Sequence, residues 1–180
     1  MPLTPSRIII VMGVSSSGKS TVGRSIARRL HLPFLDGDGY HPEANVEKMR
    51  AGIPLDDADR WPWLERLATA LREAADRKGA SVGACSALKR AYRDFLVEQA
   101  GEPITFVYLD GSREVIGERM DRRHHEYMPA SLLDSQFATL EIPDPATENV
   151  LAVPVTDSVE KITQTVTRAL GHLKTFKRWQ

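Results

Sequence analysis

Apolar residues recur along this chain in two rhythms. Short runs rich in β-branched residues, each bounded by turn formers, lie at 8–12, 33–35, 80–85, 104–109 and 150–155, and such runs predict buried strands. Between them the spacing lengthens to three and four. Val22, Ile26 and Leu30 follow Ser20; Leu64, Leu67, Ala68, Leu71 and Ala75 follow Trp61-Pro62-Trp63; Leu88, Tyr92, Phe95 and Leu96 follow Ala87; and Val159, Ile162, Val166 and Leu170 follow Asp157. Each set predicts one inward face of a helix. Pro62 suits a first helical turn, and Gly79 and Gly101 suit helix stops. Strands alternating with helices predict an α/β fold, a parallel five-stranded sheet covered by helices. No internal repeat, low-complexity tract or Gly/Ser/Pro-rich linker divides the chain, so residues 1–180 read as one domain, with 46–59 and 122–129 as insertions over the sheet edge.

Composition narrows the class of partner. With 180 residues and 42% hydrophobic content, the chain can bury a full core. Its 24 Lys and Arg balance 24 Asp and Glu, which leaves no overall field to gather nucleic acid or an anionic membrane. A small-molecule substrate suits that balance. The first residues lack the charged start and apolar stretch of a leader, and no apolar run is long enough to cross a bilayer. A cytoplasmic location is therefore expected. The single cysteine, Cys85, excludes an intrachain disulfide and fits a reducing compartment.

The chemistry begins directly after the first strand. Gly13-Val14-Ser15-Ser16-Ser17-Gly18-Lys19-Ser20 matches G-x-x-x-x-G-K-[ST], between a β-branched run and a helix, which is the context a phosphate-binding P-loop requires. Gly13 and Gly18 allow the tight turn, and the amides of Ser15, Ser16, Ser17, Gly18, Lys19, Ser20 and Thr21 converge at the positive end of the helix dipole. Lys19 is expected on the β- and γ-phosphates of ATP, with the Ser20 hydroxyl on Mg²⁺.

Other segments decide which P-loop protein this is. No Asn-Lys-x-Asp segment is present to read guanine, and the third strand ends in Cys85-Ser86 where a motor ATPase would carry Asp-Glu. Leu109-Asp110-Gly111 imitates that pair only in part, and Gly111-Ser112 reads as a turn and helix cap. The second strand ends in Asp36-Gly37-Asp38-Gly39, two carboxylates near the ligand-binding edge of an open α/β sheet. One can order the water shell of Mg²⁺ while the other accepts a hydroxyl proton; alternatively the pair forms an Asx-type turn.

The chain is similar over most of its length to the thermoresistant-type gluconate kinases, relatives of shikimate and adenylate kinases. The resemblance is carried by the P-loop, Leu35-Asp36-Gly37-Asp38 with His41-Pro42, Asn45, Lys48-Met49, Asp59-Arg60 and Pro62-Trp63-Leu64, and then by Cys85-Ser86-Ala87-Leu88-Lys89 with Tyr92-Arg93-Asp94. Met128-Pro129-Ala130-Ser131-Leu132-Leu133, Ser135-Gln136-Phe137 and Leu140-Glu141 complete it. It departs at Ser16, where the family usually has glycine, and at His125-Glu126-Tyr127, where the family usually has Gly-His-Phe. Ser16 is expected to fit with a negative backbone φ.

This resemblance implies a nucleoside-monophosphate-kinase-like three-layer fold with a small lid at about 122–130 and a substrate segment at about 39–60. It also implies transfer of the γ-phosphoryl of ATP to the terminal hydroxyl of gluconate, with Mg²⁺, and it allows a homodimer. Gluconate offers one carboxylate and many hydroxyls. Arg60, Lys89 and Arg93 are the candidate cations, the two arginines being able to grip a carboxylate bidentately. His41, Gln136, His125 and Lys48 are candidate partners for the rest of the substrate, although Lys48 also suits a solvated helix face. Asp38 is expected to orient or deprotonate the attacking hydroxyl and Asp36 to support the metal. Arg119 and Arg123, four apart before the lid, are candidates to cover the γ-phosphate. Rival readings are a kinase of another small molecule, such as shikimate, and a slowly hydrolysing regulatory module.

Overall fold

The first apolar run forms β1 (Ile8–Met12), and every one of its side chains is withdrawn from solvent. The computed structural model describes residues 2–122 and 130–173. Successive strand residues point to opposite faces. Ile9 and Val11 accordingly join one apolar cluster, and Ile8, Ile10 and Met12 join another on the far side of the sheet. Burial on both faces is the property of a parallel sheet sandwiched between helices.

The elements follow as α1 (Lys19–Leu30), β2 (Phe34–Asp36), a 3₁₀ turn (Gly37–Tyr40), α2 (Glu43–Arg50), α3 (Asp57–Lys78), β3 (Ser81–Ala84) and α4 (Arg90–Ala100). Then come β4 (Ile104–Asp110), α5 (Arg113–Arg122), α6 (Ala130–Thr139), β5 (Val150–Pro154) and α7 (Val159–Ala169). The strands lie in the order β2-β3-β1-β4-β5, every pairing parallel. Residues of α1 and α7 pack on one face, residues of α3 and α4 on the other, which makes the expected three layers. The chain leaves β1 toward one edge of the sheet and leaves β3 toward the other. Their carboxyl ends therefore border a switch point, where open α/β sheets bind ligands.

The largest helix shows how sequence and packing agree. Leu64, Leu67 and Leu71 of α3 are fully buried, and truncating any one to alanine would cost about 2–5 kcal/mol. Gly79 ends α3 with a φ of 89°, a conformation open to glycine without strain. The start differs from expectation. The helix begins at Asp57, four residues before Trp61, because Asp56 and Asp59 form a reciprocal capping box. Pro62 consequently lies inside the helix. Two further corrections follow: Val159 is 39% exposed instead of inward, and α6 was not anticipated as a helix.

Candidate active site

The P-loop leaves β1 and enters α1 as its motif requires. Gly18 caps the helix with a φ of 97° and offers no side chain to its first amides, which leaves those amides for a ligand as far as the described residues go. Ser17 Oγ is buried without a hydrogen-bond partner among the described residues. An orphaned hydroxyl in such a loop fits an anion that arrives from outside. Ser16 does not follow expectation: its φ is +60°, the left-handed region that favours glycine. Ser16→Gly should therefore leave stability unchanged or raise it by up to about 1 kcal/mol, as relief of backbone strain is partly offset by a freer unfolded chain. Denaturant unfolding would reveal it, and a clear loss of stability would contradict the strain.

Lys19 projects from the loop with its Nζ donating to Val14 O at 3.0 Å. Its pKa is lowered by burial, against the opposing fields of Asp38, Cys85 and Asp36. No carboxylate closes on it as an ion-pair partner among the described residues. A desolvated ammonium held that way is suited to a polyanion.

The two carboxylates of the second strand separate into different environments. Asp36 is occupied: Oδ2 accepts from Ser20 Oγ at 2.7 Å, Oδ1 accepts from the Asp38 amide at 3.1 Å, and Arg24 stands 3.9 Å away. It thus forms the Asx-type turn and meets the proposed metal-binding serine at once. Gly37 lets this turn lie against the end of β3, since a Cβ there would come within 2.5 Å of Ala84 O. Asp38 is exposed, and its carboxylate has no hydrogen-bond donor among the described residues. It lies within the electrostatic reach of Lys19 and His41.

Ser20 and Asp36 suit Mg²⁺ in kind. Both offer hard oxygen, and magnesium in phosphoryl-transfer sites takes one or two protein oxygens and completes its shell with phosphate and water.

His41 stacks on Trp63 with ring centroids 4.2 Å apart, and Trp63 Nε1 donates to Gly37 O. Burial lowers the His41 pKa, Asp38 opposing and Arg60 adding to the shift. Asn45 Nδ2 donates to Asp59 O at 2.8 Å and meets His41 Nδ1 at 3.3 Å. Nδ1 is thus the acceptor, and the neutral ring carries its proton on Nε2, a donor available to a hydroxyl oxygen.

Arg60 and Lys89 come together around Asp57. Lys89 Nζ lies 3.2 Å and Arg60 NH1 3.6 Å from Asp57 Oδ1, which also accepts from the Tyr92 hydroxyl. Lys48 is taken up by Asp59, both oxygens at 2.8 Å, and ties α2 to α3.

Arg93 overturns its expectation. It is 1% exposed and donates to both oxygens of Glu148 and to the carbonyls of Ala87, Leu88 and Glu141. A guanidinium so fully engaged has nothing left for a substrate carboxylate. Its place on α4 pointed toward the sheet edge, but the side chain turns into the protein and secures the loops. Burial raises the Glu148 pKa, yet the Arg93 hydrogen bonds and charge outweigh it and the net shift is downward. That contribution is present above the ordinary glutamate range and is lost as pH falls through the depressed value. Arg93→Ala strands a buried carboxylate and should destabilise the chain by about 3–5 kcal/mol. Urea unfolding measures this; unchanged stability with weaker gluconate binding would restore the original assignment.

The remaining candidates divide. Arg119 donates to Val155 O, which ties α5 to the end of β5. Gln136 reaches the P-loop, where Oε1 accepts from the Ser15 amide at 2.7 Å and Nε2 donates to Ser15 Oγ at 2.8 Å; sequence reasoning had placed it on the substrate. Thr21 is exposed on the first turn of α1. Arg123 and His125 lie outside the described residues. Cys85 is buried and its thiol is pushed up to about 12, chiefly by burial, so it is no nucleophile at neutral pH. Tyr92 and Asp57, which join Arg60 and Lys89 in one cluster, were not among the residues expected there; the Asp57-Ala58-Asp59-Arg60 run held the signal, but Pro62 pointed to a later helix start. A cavity of about 580 Å³ bordered by Val97, Ile104, Phe106 and Glu148 opens near the amino ends of β4 and β5, away from the P-loop.

Comparison with known proteins agrees with this geometry. A family described as an AAA domain matches residues 8–143. The chain is 50% identical over 145 residues to a gluconokinase of Gluconobacter oxydans (strain 621H), 79% of each protein being covered. It is 41% identical over 162 residues to the thermosensitive gluconokinase of Escherichia coli (strain K12), covering 89% of this chain and 86% of that one. The crystal structure of a gluconokinase from Sinorhizobium meliloti 1021 superposes with a TM-score of 0.80 at 43% identity, over 100% of both chains. At these identities across most of their lengths, this chain belongs to the gluconokinase family.

Proposed function

We propose that this protein transfers the γ-phosphoryl group of ATP to the terminal hydroxyl of D-gluconate, giving 6-phospho-D-gluconate and ADP. The observation that carries the reading is the difference in surroundings between two neighbouring carboxylates. Asp36 is already bound to Ser20, whereas the Asp38 carboxylate lies in the field of Lys19 and accepts no hydrogen bond among the described residues. Family membership supports the acceptor.

Phosphoryl transfer asks mainly for positioning and charge neutralisation. Lys19 and the loop amides bind the phosphates. Mg²⁺, held by Ser20 with Asp36 behind it, supplies charge neutralisation when bound. Asp38 holds the hydroxyl and takes its proton as the phosphorus–oxygen bond forms. His41 Nε2 donates to a substrate hydroxyl. Arg60 and Lys89 orient the carboxylate, which shares them with Asp57. Residues 39–60 thus form the acceptor side, and 122–130 take the lid role with Arg123 and His125.

The test is ADP release with Mg-ATP across gluconate, other sugar acids, shikimate and nucleoside monophosphates. Gluconate alone should stimulate strongly. Stimulation by a different acceptor replaces the substrate, and a flat panel rejects the kinase reading.

A further inference from the structure

The P-loop is held from a distance of 121 residues. Gln136, on α6, makes a two-point contact with Ser15, accepting from its amide and donating to its hydroxyl oxygen. The pattern fixes the orientation of the carboxamide, because a flipped group would set its NH₂ against the Ser15 amide. The residue after Ser15 is Ser16, in the left-handed region. A non-glycine residue persists there only when its surroundings over-determine it.

The helix that carries Gln136 is itself anchored. Leu133 is buried in the core and Arg113 pairs with Asp134 at 2.6 Å. Beyond its end, the Glu141 amide donates to Leu88 O at 2.9 Å, and Glu141 Oε2 accepts from the Arg90 amide at 2.6 Å. These contacts flank Lys89. One anchored element therefore touches the nucleotide loop at one point and the segment bearing a substrate cation at another.

We propose that Gln136 is a positioning residue of the nucleotide site, holding the P-loop in its phosphate-ready shape through Ser15. The inference rests on the kinase reading above. A loop fixed beforehand does not have to be ordered when nucleotide binds, so the clamp acts on nucleotide affinity and not on the acceptor. Without Gln136, the Ser15 amide and hydroxyl return to solvent and the loop samples other shapes.

The test measures three quantities on full-length Gln136→Ala, Ser15→Ala and the double variant. They are the Kd for a non-hydrolysable Mg-ATP analogue by calorimetry, the KM for gluconate, and the melting temperature. Gln136→Ala should weaken the analogue about tenfold, the scale of two modest hydrogen bonds lost, while the gluconate KM stays within about twofold. In the Ser15→Ala background the same change should cost only about threefold, since one of the two bonds is already gone. A raised gluconate KM with unchanged analogue affinity overturns the proposal and returns Gln136 to the substrate. So does a drop in melting temperature with no change in Kd, or full additivity of the two losses. If Gln136→Ala does not fold, Ser15→Ala must by itself weaken the analogue about threefold, and failure to do so overturns the clamp. A wild-type chain that binds no analogue defeats the kinase reading and the clamp together; a wild type that binds, beside variants that bind equally, defeats the clamp alone.

Discussion

Lys19→Ala should lower turnover by about 10³-fold or more while the melting temperature stays level or rises. The two halves of this expectation have one cause. Burial lowers the Lys19 pKa, which means that the fold disfavours the charged ammonium. A lysine with a depressed folded-state pKa subtracts stability at pH values below it, and the penalty fades as pH rises through it. No ion pair is broken by its removal, because the only hydrogen bond of Nζ among the described residues goes to Val14 O. Alanine therefore relieves a cost in the empty protein. Under the proposed function it removes the cation that meets phosphate charge at the loop, where a desolvated contact counts for much more than in water. Initial-rate kinetics beside differential scanning calorimetry measures both. Activity within about tenfold of wild type would falsify the phosphate role, and a large fall in melting temperature would show that Lys19 is structural.

How much of this could be read from sequence depended on whether a residue's role was local. The P-loop, the five strands and the stops at Gly79 and Gly101 were legible because each is written within a few consecutive residues. Asp36 and Asp38 were legible as a pair for the same reason. How Asp36 is held was not, since that depends on Ser20 arriving beside it from the first turn of the preceding helix. The partners of Arg93 and Gln136 were illegible for a similar reason. The sequence identified a guanidinium and a carboxamide in suggestive blocks, but their partners, Glu148 and Ser15, lie 55 and 121 residues away. The start of α3 was hidden by a competition between two valid signals. Proline at a first turn is one, and the Asp56–Asp59 capping box is the other. The box prevailed because it satisfies backbone amides, whereas proline merely tolerates the position. Helix α6 escaped because its apolar side chains, Leu133 and Phe137, make a short stripe easily taken for a loop.

The contrast between the two carboxylates yields the second large effect. Asp38→Asn should reduce kcat by about 10²–10⁴-fold, the usual contribution of a positioned proton acceptor, with little change in the KM for ATP. An asparagine can still accept a hydrogen bond from the substrate hydroxyl but cannot take its proton at neutral pH. Asp36→Asn tests the opposite assignment. Its oxygens already serve Ser20 Oγ and the Asp38 amide, so the loss should appear as a higher Mg²⁺ requirement, with kcat recovering as the metal concentration rises. Titrating Mg²⁺ against both variants therefore separates the roles. If added Mg²⁺ rescues Asp38→Asn and leaves Asp36→Asn inactive, the two assignments are reversed. If both variants keep near-normal turnover, neither carboxylate touches the reaction. Because Asp38 is exposed and its carboxylate accepts no hydrogen bond among the described residues, the Asp38 amide alone being engaged, to Asp36, its replacement by asparagine removes no side-chain contact among them, and a kinetic loss with an unchanged melting temperature would reflect chemistry at the acceptor hydroxyl.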